Sequence, residues 1–368
     1  MLSANDSQKG GLTDMANGLF GGGNGTELDP YLVEDAQDLW AVRGNLSAHY
    51  KQIYNIDLNV FNDDGGWTPV GTTSTPFTGV YDGGGFEIRN LWVAGKEYAS
   101  LFGRVNNAKI KNMLLLNTLI VSSNASSTFC MGGLIAYAQN MGEDSIYDCH
   151  VKGIINESVQ NIHRIGGIVG ECYSNFYAIN KCTFEGAIYG GNSSYTGGIV
   201  GEARTSIKNS YAKGKIEISY SGSSTPARIG GVIGELGADK ECSYCYSFMD
   251  VNTNGNYVGG LVGSTQDGAN IIKSWARGNV KGENYVGGLV GRLYNINSRV
   301  NMCYSTGKVE GSGSNIGGLV GGASNPAKVT YSVWDIEASG QETSAGGIGK
   351  TTAEMKDQQT YIDLGWAI

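Results

Sequence analysis

The phrase YVGGLVG is written twice, at Tyr257–Gly263 and Tyr285–Gly291. Close variants stand at 164–170 (RIGGIVG), 195–201 (YTGGIVG), 228–234 (RIGGVIG) and 315–321 (NIGGLVG). The first glycines of the GG pairs are Gly132, Gly166, Gly197, Gly230, Gly259, Gly287, Gly317 and Gly346, at intervals of 34, 31, 33, 29, 28, 30 and 29 residues. An eroded copy, YASLFGRV, precedes them at 98–105. Self-similarity at such a period is the signature of a solenoid, in which each unit is too small to bury its apolar side and stacks on its neighbours.

Each unit has a second half, for example IYDCHVKGII from Ile146, INKCTFEGAI from Ile179, IKNSYAKGKI from Ile207 and IIKSWARGNV from Ile271. These segments are short and rich in β-branched residues, so they read as strands. One column of the aligned halves holds Met113, Cys149, Cys182, Ser210, Cys245, Ser274, Cys303 and Ser332. Two residues on come Leu115, Val151, Phe184, Ala212, Ser247, Ala276, Ser305 and Trp334, whereas Lys152, Glu185, Lys213 and Arg277 follow in the next column. Period-2 alternation places the Cys/Ser column inside and the charged column outside. The expected fold is all-β, a right-handed parallel β-helix of about nine coils with short helical caps. Side chains stacked in register point the same way, so Cys149, Cys182, Cys245 and Cys303 are expected as buried free thiols.

The GGLVG phrase followed by I-x-x-C/S-Y-A-x-G-x-V resembles the GLUG-motif repeat family. The segments GNGTELDPYLVEDAQDLWAVR before the repeats and YSVWDIEASGQETSAGGIGKTTAEMKDQQTY at their end resemble the regions that flank such repeats. The resemblance spans about 20–361. It implies a parallel β-helix of the kind found in bacterial surface adhesins, beside some IgA-specific peptidases, and in phage or prophage proteins. It carries over no catalytic residue, and the metallopeptidase phrase HExxH is absent from this chain.

Composition narrows the function classes. The 368 residues include 58 glycines and only 16% charged residues, with a net charge of −8. Nucleic acid is therefore not an expected partner, since there is no basic excess to neutralise phosphates. No apolar run approaches the roughly 20 residues of a membrane span, and MLSANDSQKGG lacks the apolar core of a signal peptide. Of the seven cysteines, Cys242 and Cys245 form a lone CxxC with no second pair or nearby His to complete a metal site. No metal and no cofactor is expected.

The organisation expected is a flexible arm over 1–19, a cap and first coils over 20–97, repeats over 98–350 and a C-terminal cap over 351–368. Asp35 is a candidate N-cap for a plug helix carrying Ala36, Leu39, Trp40 and Val42. Tyr54, Ile56, Leu58 and Val60 alternate on what reads as the first strand, and Thr351 to Glu354 has capping-box spacing.

Catalysis finds little support. Glycoside cleavage needs two carboxylates about 5 Å or about 6.5–9.5 Å apart, and no acidic pair stacks in the outward second-half columns. Asp63 and Asp64 read as a polar turn, and His49, His150 and His163 lie in dissimilar contexts. The clearer clue is the column after Cys/Ser, where Tyr211, Tyr246, Trp275 and Tyr304 face outward on consecutive coils beside Lys213, Lys215, Arg277 and Lys308. Such a strip either stacks on sugar rings or stiffens its own coils.

The GG phrase leaves two readings open. If Val258 and Val262 point inward, the Leu/Ile column that includes Ile199, Leu261, Leu289 and Leu319 points outward. It would then need a cover, such as another subunit of a homo-oligomer, most plausibly a trimer. A kink at GG would instead turn both apolar columns into the core. The functional expectation is a non-catalytic surface-attachment rod that recognises a cell-surface glycan or receptor. A phage-type virion protein, docked to other virion proteins by its N-terminal arm, is the first setting. A secreted adhesin and a polysaccharide depolymerase are the alternatives.

Overall fold

The computed structural model describes residues 20–63, 65–122, 130–157, 164–191, 194–219 and 227–367. The proposed arm over 1–19, together with Asp64 and His163, lies outside them.

One coil shows how the repeat is built. From Val258 the chain runs as Val258–Gly259, kinks at the glycine pair, and continues as Val262–Thr265, Asn270–Ile272, Trp275–Ala276 and Val280–Gly282. Each segment pairs in parallel with its equivalents above and below: Val258 with Ile229 and Val286, Trp275 with Tyr246 and Tyr304, Val280 with Val251 and Val309. Gly259 and Gly287 are direct rung partners. The first strand of every phrase joins an eight-stranded sheet, and the remaining faces form one continuous 29-stranded sheet. The molecule is a parallel β-solenoid of about nine turns. Parallel pairing begins at Tyr31–Val33 against His49–Gln52, well before the first full phrase.

The glycine pair settles the direction of the apolar columns. Leu134, Ile168, Ile199, Val232, Leu261, Leu289 and Leu319 are fully buried within the single chain, as are Val258 and Val262. The outward reading is thereby corrected. Ile199, Leu261, Leu289 and Leu319 have no exposed side-chain surface to offer another subunit. The kink turns both columns inward because the second glycine closes the waist of the coil. A Cβ on Gly260 would lie 2.2 Å from the Gly288 carbonyl and 2.9 Å from Ala276 Cβ. A Cβ on the third glycine, Gly263, would lie 2.5 Å from the Ile229 nitrogen of the preceding coil. Close approach, with no left-handed backbone at these positions, is what requires glycine here.

A second corner precedes the Cys/Ser column. Asn112, Asp148, Lys181, Asn209, Tyr244, Lys273, Met302 and Tyr331 all have φ between 48° and 55°, a left-handed conformation that non-glycine residues seldom adopt. The following side chain folds back onto the carbonyl two residues upstream. Ser210 Oγ donates to Lys208 O at 2.9 Å, Ser274 Oγ to Ile272 O at 2.8 Å, and Cys303 Sγ to Asn301 O at 3.3 Å. A small donor is therefore needed there, which explains why cysteine and serine interchange. All seven cysteines are buried and unpaired. Burial raises the thiols of Cys149 and Cys172 and pushes Cys303 up to about 12, so they stay protonated and unreactive.

The ends are closed by short helices. The first, α1 (Ala36–Ala41), is capped by Asp35, whose carboxylate accepts from the Gln37 and Asp38 backbone nitrogens. Arg43 lies between Trp40 and Trp67, 4.0 and 4.2 Å from the two ring centres, sealing that end. At the other end stand α2 (Ile336–Ser339), α3 (Thr352–Lys356) and α4 (Gln358–Asp363), and α3 begins with the Thr351–Glu354 capping box. The strand expected over 54–60 is broken: Ile56–Asp57 is extended, Leu58–Phe61 is a 3₁₀ turn, and Tyr54 and Val60 are exposed. The Asp57 carboxylate caps that turn through the Asn59 nitrogen, and this local bond overrides the alternation.

Candidate functional site

The structure brings Tyr211, Tyr246, Trp275 and Tyr304 together as one ladder. They are in-register rung partners, half-buried on the outer face opposite Ser210, Cys245, Ser274 and Cys303. Successive ring centres are 4.7, 4.7 and 5.7 Å apart, with interplanar angles of 6°, 12° and 12°. Each inner ring therefore spends both flat faces on its neighbours and shows only its edge to solvent. The expectation that sugars stack on these faces is corrected for the middle of the ladder. Phe248 packs edge-on against Tyr246 and Trp275 at 5.9 and 5.0 Å, and remains partly exposed.

The ladder does not stop at Tyr304. Tyr361 and Trp366 of the C-terminal cap lie 6.4 Å from it, and 5.1 Å from each other at 60°. Trp366 is anchored by its Nε1, which donates to Tyr331 O at 2.8 Å, and Tyr361 by its hydroxyl, which donates to Met355 O at 2.8 Å. Between them opens a cleft of about 730 Å³, lined by Arg277, Tyr304, Asp335, Lys356, Tyr361 and Trp366 among others. Here aromatic rings do not form a single closed stack. The Arg277 guanidinium lies 4.7 Å over Trp275 and donates to the Tyr304 hydroxyl at 2.8 Å. Burial raises the Tyr304 hydroxyl, so it stays a neutral donor and acceptor. Asp335 accepts from Thr352 Oγ1 and from the first turn of α2, which ties the cleft wall to α2 and α3.

The other predicted cations are used differently. Lys215 pairs with Glu217 at 3.0 Å and Lys308 with Glu310, so of the four only Arg277 bonds to a ladder ring. His150 is half-exposed and bonded to Thr183 and Asp148. Among the described residues no cluster of three or more His, Cys, Asp or Glu side chains is placed to hold a metal.

A second arrangement was missed in the sequence. The first residue of the phrase runs Arg164, Tyr195, Arg228, and the residue after it runs Glu171, Glu202, Glu235. These glutamates are in-register partners and are buried. Arg164 Nε sits 3.0 Å from Glu171 and 2.7 Å from Glu202, Arg204 pairs with Glu202 at 2.7 Å, and Arg228 pairs with Glu235 at 2.5 Å. Glu235 also accepts from Ser264 and Gln266. Stacked carboxylates thus exist, but Arg guanidinium groups engage them, which suits a structural brace better than acid–base chemistry. The signal was legible in the flanks of the phrase, where Arg and Glu recur seven residues apart.

Comparison with known proteins follows the same architecture. The GLUG motif matches residues 192–217 and 282–310. Over 399 residues the chain is 31% identical to an Evansella cellulosilytica protein named a candidate Gly-rich membrane protein, covering 95% of this chain and 44% of that one. Halomucin of Haloquadratum walsbyi is 35% identical over 161 residues, covering 40% of this chain and 2% of halomucin. The chain thus spans less than half the length of these relatives. A crystal structure of a candidate immunoglobulin A1 protease from Bacteroides ovatus superposes with a TM-score of 0.52 at 19% identity, covering 95% of this chain and 91% of that one. At that identity the likeness concerns the fold. The chain thus carries GLUG motifs, and its repeats stack as the coils of a parallel β-solenoid.

Proposed function

We propose that this chain is a rigid, non-catalytic binding module of a surface or extracellular protein, and that it contacts glycan at the C-terminal end of its aromatic ladder. The observation that carries this reading is the cleft between Tyr304, Tyr361 and Trp366, with Arg277 and Lys356 in its wall. Rings held by a sheet and by hydrogen bonds lose little entropy on binding a flat sugar. The names of two relatives, a Gly-rich membrane protein and halomucin, support a surface setting. Engaged carboxylates, together with the absence of a nucleophile–base phrase, support a module that binds without cleaving.

A virion is the second setting, and one observation favours it: seven buried, unpaired thiols suit a protein folded in a reducing compartment. Detection of the chain in purified phage particles, against detection at the cell surface, separates the two.

The site is tested on an array of bacterial surface glycans. Trp366→Ala combined with Arg277→Gln is expected to weaken binding at least about tenfold, as loss of a stacked ring and a charged hydrogen bond should. The melting temperature should fall by no more than about 3 °C. Unchanged glycan binding would overturn the site, and shortening of the bound glycan would overturn the non-catalytic reading.

A further inference from the structure

We infer that Arg292 and the tyrosines around it form a separate pocket for the anionic group of an acidic sugar. The column that holds Glu171, Glu202 and Glu235 continues through Ser264 to Arg292 and then Gly322. Charge is therefore inverted at Arg292, on a rung whose neighbours above and below carry no carboxylate. Arg164, Arg204 and Arg228 each meet a glutamate of this column, whereas Arg292 has no carboxylate partner among the described residues.

The guanidinium is held by rings instead. It lies 5.4 Å from the centre of Tyr257, 4.8 Å from Tyr285 and 4.7 Å from Tyr294, and its Nη1 donates to the Tyr257 hydroxyl at 3.0 Å. Its Nε and Nη2 have no hydrogen-bond partner among the described residues. Neither is a buried unsatisfied atom, a condition met only by Arg43 Nε and Thr118 Oγ1 among those residues. The free donors are therefore open to a ligand. A planar guanidinium with two free donor groups, oriented by aromatic faces, suits a carboxylate or sulfate oxygen pair.

Arg292 borders a cleft of about 490 Å³ that Arg228, Glu235, Ser264, Tyr294 and Asn295 also line. Glu235 is already engaged by Arg228, Ser264 and Gln266, which leaves Arg292 as the cation without a carboxylate among the described residues. That size is within the roughly 300–1,000 Å³ of small-ligand sites. Tyrosine rings beside the Asn295 amide match a sugar, which presents both a flat CH face and hydroxyls. Asp267, held by Asn297 at 3.1 Å, stands on the rim and disfavours a ligand with several negative charges. The pocket lies on the strand Val290–Leu293, whereas the ladder runs through Trp275–Ala276. Its success or failure is independent of the ladder.

Titration calorimetry of the full chain with a galacturonic acid dimer, a sulfated galactose dimer and an uncharged galactose dimer tests the pocket and separates carboxylate from sulfate. At least one charged dimer should bind about tenfold or more tighter than the uncharged one. Arg292→Gln should abolish that preference, Arg292→Lys should restore part of it, and Trp366→Ala should leave it intact. Equal binding of charged and uncharged dimers, or a preference that survives Arg292→Gln, overturns the proposal. Should Arg292→Gln misfold, Tyr294→Ala at the exposed rim replaces it. It must then lower affinity for the charged dimer, and unchanged affinity overturns the proposal equally.

Discussion

At the scale of the residue, glycine decides where this coil can close. A methyl group on Gly260 meets a backbone carbonyl of the next coil at 2.2 Å, and neither neighbour can move without disturbing the ladder that stacks them. Gly260→Ala is accordingly expected to cost at least about 2 kcal/mol, by the overpacking that a close-packed interior does not absorb. Gly142, whose added Cβ would meet nothing within 4 Å, is the matched control. Gly142→Ala should change stability by no more than about 0.5 kcal/mol, with a small gain possible through the unfolded chain. Urea titration of both variants checks the contrast. Equal effects would mean that the waist is looser than its geometry. The GG phrase was legible as scaffold, but its letters do not say which side of the sheet the leucine takes. That depends on a kink whose direction is set by the facing column of Val151, Phe184, Ala212, Ser247, Ala276 and Ser305.

At the scale of the element, the cap helix α1 carries a pH-sensitive group. Asp38 is buried at its start and accepts a hydrogen bond from the Glu34 nitrogen at 3.0 Å. Burial, reinforced by the charges of Asp35 and Glu34, outweighs that bond and pushes its carboxyl up to about 6. A carboxyl whose folded value is raised favours the fold while protonated, so its contribution is present below about pH 4 and is lost as pH rises through about 6. Asp38→Asn keeps the acceptor and removes the charge. It is expected to stabilise the protein by about 1–2 kcal/mol at pH 8 and by nothing at pH 4, as thermal melts at the two pH values would show. A gain independent of pH would place the effect in packing. Asp35 as N-cap and the Thr351–Glu354 box were readable because capping chemistry is local, whereas the break after Asp57 was hidden by an alternation that a side-chain cap overrode.

At the scale of the whole molecule, a stack of coils is nearly one-dimensional: backbone pairing joins each coil to its neighbours, and only long side chains such as Lys208, 2.7 Å from Glu143, reach a coil further. Val258 and Val286 occupy the same place on adjacent rungs. Deleting Val258–Tyr285 therefore removes one coil and joins Tyr257 to Val286 in register. The shortened chain is expected to fold cooperatively into a shorter rod with a modestly lower melting temperature, seen by circular dichroism and small-angle scattering. Deleting only the first part of that coil, residues 258–271, should abolish folding, because it leaves an incomplete coil and the equivalent segments above and below have nothing to pair with. A stable half-coil deletion would refute the stacked register.

The sequence by itself determined the repeat, the parallel solenoid, the inward Cys/Ser column and the outward aromatic one. Each follows from a short-range period, and stacking copies that period from coil to coil. Only the tertiary structure decided that both apolar columns of the phrase are core, that the inner rings are stacked face to face, and that Tyr361 and Trp366 fold back to extend the ladder. It likewise paired Arg164 and Arg228 with the buried glutamates and left Arg292 without one among the described residues. Those outcomes depend on distances between residues about one coil or more apart, and a repeat period carries no information about how closely two faces approach.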